Sequence, residues 1–214
     1  MKAQSLAFAA ALACSAPAFA DSVLIDDFVF TPAMPLSVGS PSYSGPAGQF
    51  KGLLNGNSFV TYCTDLSQTF QFDVLYTDYT VVGGAAVWGP SKSLVMDKLM
   101  SAAIASAVPA NSAQSAAVQA AVWEVLYETS GTYDLTAGTF TATSSDGTTN
   151  TLLGSVNWAG IMADPVTYHV DQLYSRSHQD FMVITQVPEP GTYALFAAGL
   201  AGIAFVARRR TRQT

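Results

Sequence analysis

The sequence predicts an α+β fold, a β-sandwich or β-barrel with a two-helix insertion, flanked by an N-terminal signal peptide and one C-terminal transmembrane helix. Three observations carry the prediction. Strand-forming residues separated by turn residues dominate both ends of the central region, residues 92–128 switch to helical spacing, and an apolar run stands at each end of the chain. Between those runs, residues 21–187 have the length of one ordinary domain.

Residues 1–20 have the features of a secretory signal peptide. One lysine precedes an apolar run that ends at Cys14, and Ala18-Phe19-Ala20 is a small-residue cleavage site. Cleavage there removes Cys14. We therefore expect the exported protein to enter an oxidising compartment with one cysteine, Cys63, so that no internal disulfide can form.

The first half of the exported module is predicted to be rich in β-strands. Residues 22–30 read as a strand, and the Pro, Gly and Ser of residues 31–48 indicate a loop. Residues 58–66, which contain Cys63, predict a second strand. Residues 69–82 alternate apolar and polar side chains, which is the two-residue period of a half-buried strand.

Two adjacent helices are predicted near residues 92–108 and 112–128. Apolar side chains recur there at helical spacing, Pro109 ends the first helix, and Asn111 or Ser112 is a candidate N-cap of the second. A short loop therefore joins two neighbouring helices.

The last third of the module is predicted to return to β structure. Asp146-Gly147 is typical of a tight hairpin turn. Residues 179–186 read as a final strand that leads to the linker at Pro188.

The exported module is strongly acidic. Residues 21–187 carry fourteen acidic and four basic side chains, a net charge of −10. Such a surface repels the phosphates of nucleic acids and of anionic lipids. Nucleic acid is therefore excluded as a partner.

Residues 188–214 are predicted to sort and anchor the protein. An uncharged apolar run predicts a transmembrane helix over residues 192–207, somewhat shorter than the roughly 20 residues of an untilted span. Clustered arginines stay cytoplasmic, so they form a stop and place the module before Pro188 outside. These are Arg208, Arg209, Arg210 and Arg212.

Pro188-Glu189-Pro190, followed by a short apolar helix and an arginine cluster, resembles the PEP-CTERM sorting signal of Gram-negative bacteria. The resemblance implies recognition by exosortase, a membrane protease thought to cleave such tails. It also implies transient attachment to the inner membrane and then release to the cell surface or extracellular matrix of a biofilm-forming cell.

Gln119 is predicted to lie at the border of the buried face of the second helix. On a wheel of 100° per residue with Val118 at zero, the apolar stripe spans about −60° to +80° and Gln119 lies at about +100°. Trp123 follows one turn later, at about +140°. The carboxamide is therefore expected to turn toward the β layer, with Trp123 as cover.

Tyr62-Cys63 on the strand and Gln119 to Trp123 on the helix resemble the thioester domains of bacterial surface adhesins. In those domains an aromatic-Cys motif precedes an apolar-Gln-x-x-apolar-Trp motif. The resemblance implies that the Cys63 sulfur attacks the Gln119 carbonyl, that ammonia leaves, and that an internal thioester results, shielded by Tyr62 and Trp123. It further implies adhesion, in which the thioester acylates an amine on a target surface.

A noncovalent alternative remains open. A lone cysteine is commonly a small buried apolar residue, and a glutamine at a helix border is commonly solvated. The module would then be a structural protein that binds polysaccharide or matrix without a thioester. Aromatic side chains would stack on sugar rings or pack in the core; these are Tyr76, Tyr79, Trp88 and Trp158.

Enzyme and metal chemistry have little support in the sequence. A cysteine hydrolase would need His169 or His178 beside Cys63, with an orienting acid such as Asp65 or Asp171. No family signature surrounds these residues, so no catalytic residue is assigned and we expect no enzyme. Zinc and calcium spacings are also missing from the sequence, which predicts no metal and no cofactor.

Overall fold

The structure is a computed structural model that describes residues 20–188, together with residues 191, 195, 196, 198–201 and 203. The predicted signal peptide, apart from Ala20, lies outside the described residues. So do Glu189 and Pro190, the four C-terminal arginines and much of the predicted helix 192–207. Within the part of the chain that is described, no helix is both long enough and apolar enough to span a bilayer.

The described chain contains strands and helices in an α+β arrangement. In chain order the strands are β1 (Asp21–Phe28), β2 (Met34–Val38), β3 (Tyr43–Ala47), β4 (Phe50–Leu54), β5 (Asn57–Thr61), β6 (Leu75–Val82), β7 (Ala142–Thr143), β8 (Tyr168–Tyr174) and β9 (Phe181–Gln186). The helices are α1 (Gly84–Trp88), α2 (Pro90–Ala105), α3 (Ser112–Tyr127), α4 (Gly147–Leu153) and α5 (Trp158–Ala163). Helices α2 and α3 occupy the two regions where helical spacing was found.

The larger sheet has six strands in the order β5-β4-β1-β6-β8-β9, and every neighbouring pair is antiparallel. The chain just after β5 then runs along β9. Thr64 N–H donates to the Asp180 carbonyl at 2.9 Å and Met182 N–H donates to the Tyr62 carbonyl at 3.2 Å. Cys63 forms a bridge with Phe181 between these bonds. The two edges of the sheet are thereby joined, which confirms the α+β class with a barrel-like sheet.

Helix α3 is the central helix of the module. It is rich in alanine, the residue with the highest helix propensity, and the Asn111 side chain caps it by accepting a hydrogen bond from Gln114 N–H at 3.0 Å. Small side chains let neighbouring elements approach it closely. It contacts α2, α4, β2 and β3, so most of its circumference is buried.

The prediction of a loop over residues 31–48 is wrong, because this segment forms the hairpin β2–β3. Strand β2 pairs with β3 on one side and with β7 on the other. Pro35 and Pro46 face each other in the register of the hairpin. Leu36 and Val38 are buried while Pro35 and Ser37 are exposed, which is the two-residue alternation of a strand. The prolines of the segment concealed this alternation in the sequence.

The strand predicted over residues 69–82 begins only at Leu75. Asp73 adopts a φ of 61°, a left-handed conformation that interrupts an extended chain. Phe70 lies before this break and packs with its ring centroid 5.4 Å from Phe50 and 5.3 Å from Phe181. The alternating aromatics therefore belong to a loop that covers the end of the barrel.

The hairpin predicted at Asp146-Gly147 is also wrong, since Asp146 is the N-cap of α4. Its carboxylate accepts hydrogen bonds from Thr149 N–H at 2.7 Å and from the Thr149 hydroxyl at 2.8 Å. A short polar side chain before a helix competes with the turn that the dipeptide predicts. Strand β8 and the short helices α1 and α5 were not predicted.

Glu128 organises the loop that follows α3. Its carboxylate accepts backbone N–H groups of Thr129, Ser130, Thr139 and Phe140, and it also accepts the Thr139 hydroxyl. The Thr139 hydroxyl and the Ser130 backbone N–H, in that order, hold the pKa of Glu128 below its ordinary value. A depressed pKa means that the carboxylate stabilises the fold above its unfolded pKa and less so as the pH falls below it.

We expect Glu128→Gln to lower the free energy of unfolding near neutral pH by roughly 1–3 kcal/mol, because an amide group replaces one acceptor oxygen. The loss should shrink as the pH falls below about 4.5, the ordinary value for this group. Glu124→Gln, one helical turn earlier, is the matched control. Burial raises the pKa of Glu124 to about 7, so its replacement by an amide should cost less in mildly acidic solution. Chemical denaturation across pH measures both, and equal losses would contradict this role of Glu128.

Candidate functional site

Cys63 and Gln119 meet at the seam where the barrel closes. The Cys63 backbone N–H donates to Gln119 Oε1 at 3.0 Å, and Gln119 Nε2 donates to the Cys63 backbone carbonyl at 2.8 Å. Both ends of the carboxamide therefore pair with one residue that lies 56 positions earlier in the chain. The two residues singled out in the sequence are in direct contact.

Gln119 is more deeply buried than the helical wheel predicts. Only 1 % of its surface is exposed, so the expected position at the border of the buried face is wrong. Ala116 and Ala120, on other faces of the helix, are also fully buried, because α3 is enclosed by its neighbours. A carboxamide in such a place needs hydrogen-bond partners, and the backbone N–H and carbonyl of Cys63 at the seam supply them.

The Cys63 sulfur faces a second carboxamide. The thiol donates a hydrogen bond to the Asp65 carbonyl at 2.7 Å, and Gln179 Nε2 contacts both the sulfur and that carbonyl. Only 5 % of Cys63 is exposed. Burial raises the pKa of its thiol to about 12, although the Asp65 backbone and then the Trp123 side chain oppose this effect. The resting sulfur is therefore a neutral thiol.

Gln179 was missed by the sequence reasoning. It lies in a polar segment just before β9, where nothing in the spacing distinguishes it. Its backbone is nevertheless fixed, because its N–H donates to the Thr69 carbonyl at 3.2 Å and its carbonyl accepts the Tyr79 hydroxyl at 2.6 Å. The side chain is held against Cys63 by the barrel itself.

The cover over the sulfur differs in part from the prediction. Trp123 is 2 % exposed and meets Tyr43 edge to face, with ring centroids 5.1 Å apart. Both line the cavity beside Cys63. Tyr62, predicted to shield the thioester, is buried in the core but does not line this cavity. Tyr43, from the hairpin that the sequence reasoning missed, lines the cavity instead.

An aromatic cavity of about 250 Å³ leads to this group. Cys63, Gln119 and Gln179 stand at its polar end. Half of the other lining residues are aromatic, and Phe72 among them is 40 % exposed and reaches the surface. These aromatics are Phe28, Tyr43, Phe50, Phe70, Phe72 and Trp123.

The two histidines pair with aspartates that are not part of the Cys63 site. His169 Nδ1 is 2.9 Å from Asp97 Oδ2, and His178 Nδ1 is 3.3 Å from Asp78 Oδ2. Neither histidine lines the cavity of Cys63. Within the described residues no group of three or more His, Cys, Asp and Glu side chains is arranged to hold a metal ion.

Comparison with known proteins identifies the C-terminal signal. Residues 186–210 match the family model of the PEP-CTERM protein-sorting motif, which confirms the predicted signal. The chain is therefore an exported surface protein that is sorted by way of the membrane and exosortase. No curated protein and no solved structure matches it.

Truncation of the Gln119 side chain should destabilise the fold. Gln119→Ala leaves the buried N–H and carbonyl of Cys63 without their partners, and we expect a loss of roughly 2–4 kcal/mol in the free energy of unfolding. Gln114→Ala is the control on the same helix. Its carboxamide accepts only the exposed Ala110 N–H at 2.7 Å, so we expect a loss below about 1 kcal/mol. Similar denaturation midpoints for the two variants would contradict the buried pairing.

Proposed function

We propose that this exosortase-sorted protein carries an internal thioester between Cys63 and Gln119 and uses it for covalent attachment at the surface of the cell. The observation that supports the proposal is the pairing of the Gln119 carboxamide with both backbone polar groups of Cys63. That pairing holds an acyl carbon beside the residue that bears the only thiol of the exported module. It also restricts the motion of both partners before reaction.

Formation of the thioester requires a change of partner at the sulfur. The Cys63 sulfur turns from the Asp65 carbonyl toward Gln119 and attacks the side-chain carbonyl carbon. The carbon–nitrogen bond breaks, the thiol proton passes to the departing nitrogen, and ammonia leaves. The product is a carbon–sulfur bond that links the barrel seam to α3.

The cavity suits the reverse reaction with a target amine. A neutral primary amine attacks the acyl carbon, the carbon–sulfur bond breaks, and the amine proton ends on the sulfur. The products are an amide at Gln119 and a free Cys63 thiol. Aromatic walls restrict water at the acyl carbon, so they favour storage of the thioester until an amine is delivered.

The exported module itself offers few competing amines. It contains three lysines, and two of them are engaged: Lys92 Nζ contacts the Leu126 carbonyl, and Lys98 Nζ donates to the Met162 carbonyl at 2.9 Å. Self-acylation is therefore limited. Amines on a neighbouring surface, including those of a Gram-negative biofilm matrix, are the targets that we propose.

A noncovalent function is the second candidate, and the aromatic cavity is the observation that favours it. Aromatic faces bind the apolar faces of sugar rings, and the exposed Phe72 would meet such a ligand first. In this case the hydrogen bonds between Gln119 and Cys63 serve only the packing of the fold. Glycan binding that survives both Cys63→Ala and Gln119→Ala would favour this candidate.

The intact mass of the purified module tests the thioester. We expect a deficit of one ammonia relative to the sequence, with no titratable thiol. One molecule of methylamine should add at Gln119, which leaves the protein one methylene group heavier than its sequence, and should release one thiol. Both effects require the acyl carbon of Gln119 and the sulfur of Cys63.

The controls follow from the same chemistry. Cys63→Ala and Gln119→Ala should each have the unshifted mass, while Gln114→Ala should retain the deficit. A wild-type mass equal to that of the sequence, together with a free thiol, would contradict the proposal.

A further inference from the structure

We propose that Gln179 and Trp123 form a pair of N–H donors that stabilises the Cys63 thiolate when the thioester forms and when an amine opens it. This inference rests on the proposed thioester, and it assigns catalytic roles to a residue that the sequence reasoning missed and to one that it treated only as cover. Both side chains line the polar end of the cavity.

Gln179 is the first donor. Its Nε2 contacts the Cys63 sulfur, and the side chain is 8 % exposed. The backbone bonds to Thr69 and Tyr79 fix its position on both sides. A donor held by the barrel needs no rearrangement when charge develops on the sulfur, which is the condition for electrostatic stabilisation of a transition state.

Trp123 is the second donor. Its indole Nε1 is buried and has no hydrogen-bond partner of ordinary geometry among the described residues. Trp123 and Cys63 line the same cavity, and the indole side chain lowers the pKa of the Cys63 thiol. A buried N–H group without a partner costs free energy in the resting protein. That cost is recovered when a negative sulfur appears beside it.

Other groups around the sulfur oppose its ionisation. The carboxylates of Asp65, after β5, and of Asp180, before β9, disfavour a nearby negative charge, and burial disfavours it more strongly. The hydroxyls of Tyr43 on β3, Tyr79 on β6 and Tyr127 on α3 are also titratable groups near the sulfur, but burial raises the pKa of each, so they stay neutral and do not oppose the thiolate. The residues that line the cavity include no lysine or arginine, so uncharged groups must offset these effects. They are the Asp65 backbone and the N–H donors of Gln179 and Trp123.

The donors act at one defined step. When an amine attacks the acyl carbon of Gln119, the electron pair of the breaking carbon–sulfur bond passes to the sulfur. Gln179 Nε2–H and Trp123 Nε1–H donate to that thiolate until it takes the proton released by the amine. The same contacts stabilise the attacking thiolate when the thioester forms, since the tetrahedral intermediates of the two reactions differ only in the substituent on nitrogen.

The rate of methylamine-driven thiol release tests the donor pair. Loss of a hydrogen bond to a charged group in the transition state lowers a rate constant by about 10- to 100-fold. We therefore expect Gln179→Met to slow thiol release by that factor. Trp123→Phe keeps the aromatic cover and should slow release by about tenfold. Gln114→Met is the control, because the Gln114 carboxamide accepts the Ala110 N–H at 2.7 Å and does not line the cavity of Cys63. Unchanged rates in both donor variants, with the control also unchanged, would overturn the proposal.

A second readout separates this inference from the thioester. The rate of Cys63 alkylation by iodoacetamide at one fixed, mildly alkaline pH is measured on the thiol released by methylamine, or directly on the wild type if its mass shows no ammonia deficit. Because this rate follows the fraction of thiolate, Gln179→Met should lower it by about tenfold or more, and Gln114→Met should not. An unchanged rate in Gln179→Met overturns the donor role even where the thioester exists. A lowered rate in a protein without the deficit supports the donor role while the thioester fails. A deficit that survives Gln119→Ala and is lost in Gln179→Met also overturns it, because Gln179 would then be the acyl group.

Discussion

The two hydrogen bonds between the Gln119 carboxamide and the Cys63 peptide are the interaction on which the site depends. They join the central helix to the closing seam of the barrel, at a depth where neither partner can turn to water. Buried polar groups that satisfy each other in this way specify one arrangement of the elements that carry them. The position of the sulfur relative to the helix is a consequence of this arrangement.

Closure of the sheet gives the site its second wall. The segment after β5 and the start of β9 run side by side, and this brings Gln179 to the sulfur opposite Gln119. The aromatic loop before β6 and the Tyr43 hairpin then enclose the remaining side. A thiol with a strongly raised pKa, two carboxamides and a partly aromatic cavity thus occupy one small volume. The sorting motif explains why such a group would be exposed to surfaces outside the cell.

Local patterns predicted the parts of the fold that local physics decides. Helices α2 and α3 were placed from apolar spacing and the Asn111 cap, and the α+β class from the change of period. The errors have a common origin in tertiary context. Pro35 is tolerated in a strand because of its place in the hairpin register, and Asp146 caps a helix where its dipeptide predicts a turn.

The same limit applies to the site. The Cys63 and Gln119 pair could be found because each lies in a short motif of recognisable residue types. Gln179 could not, since its role arises from closure of the barrel between residues that are 116 positions apart. Tyr43 belongs to the same class, because it reaches Trp123 only through a hairpin hidden in a segment rich in proline and glycine.

Peptide mapping of freshly purified, exported protein is the most direct test of the central claim. Digestion in mildly acidic solution, which preserves thioesters, followed by tandem mass spectrometry would show whether the two segments are covalently joined. The account predicts one linked species that contains both Cys63 and Gln119 and falls apart on treatment with an amine. Recovery of two separate peptides, one with a free thiol and the other with an intact carboxamide, would contradict it.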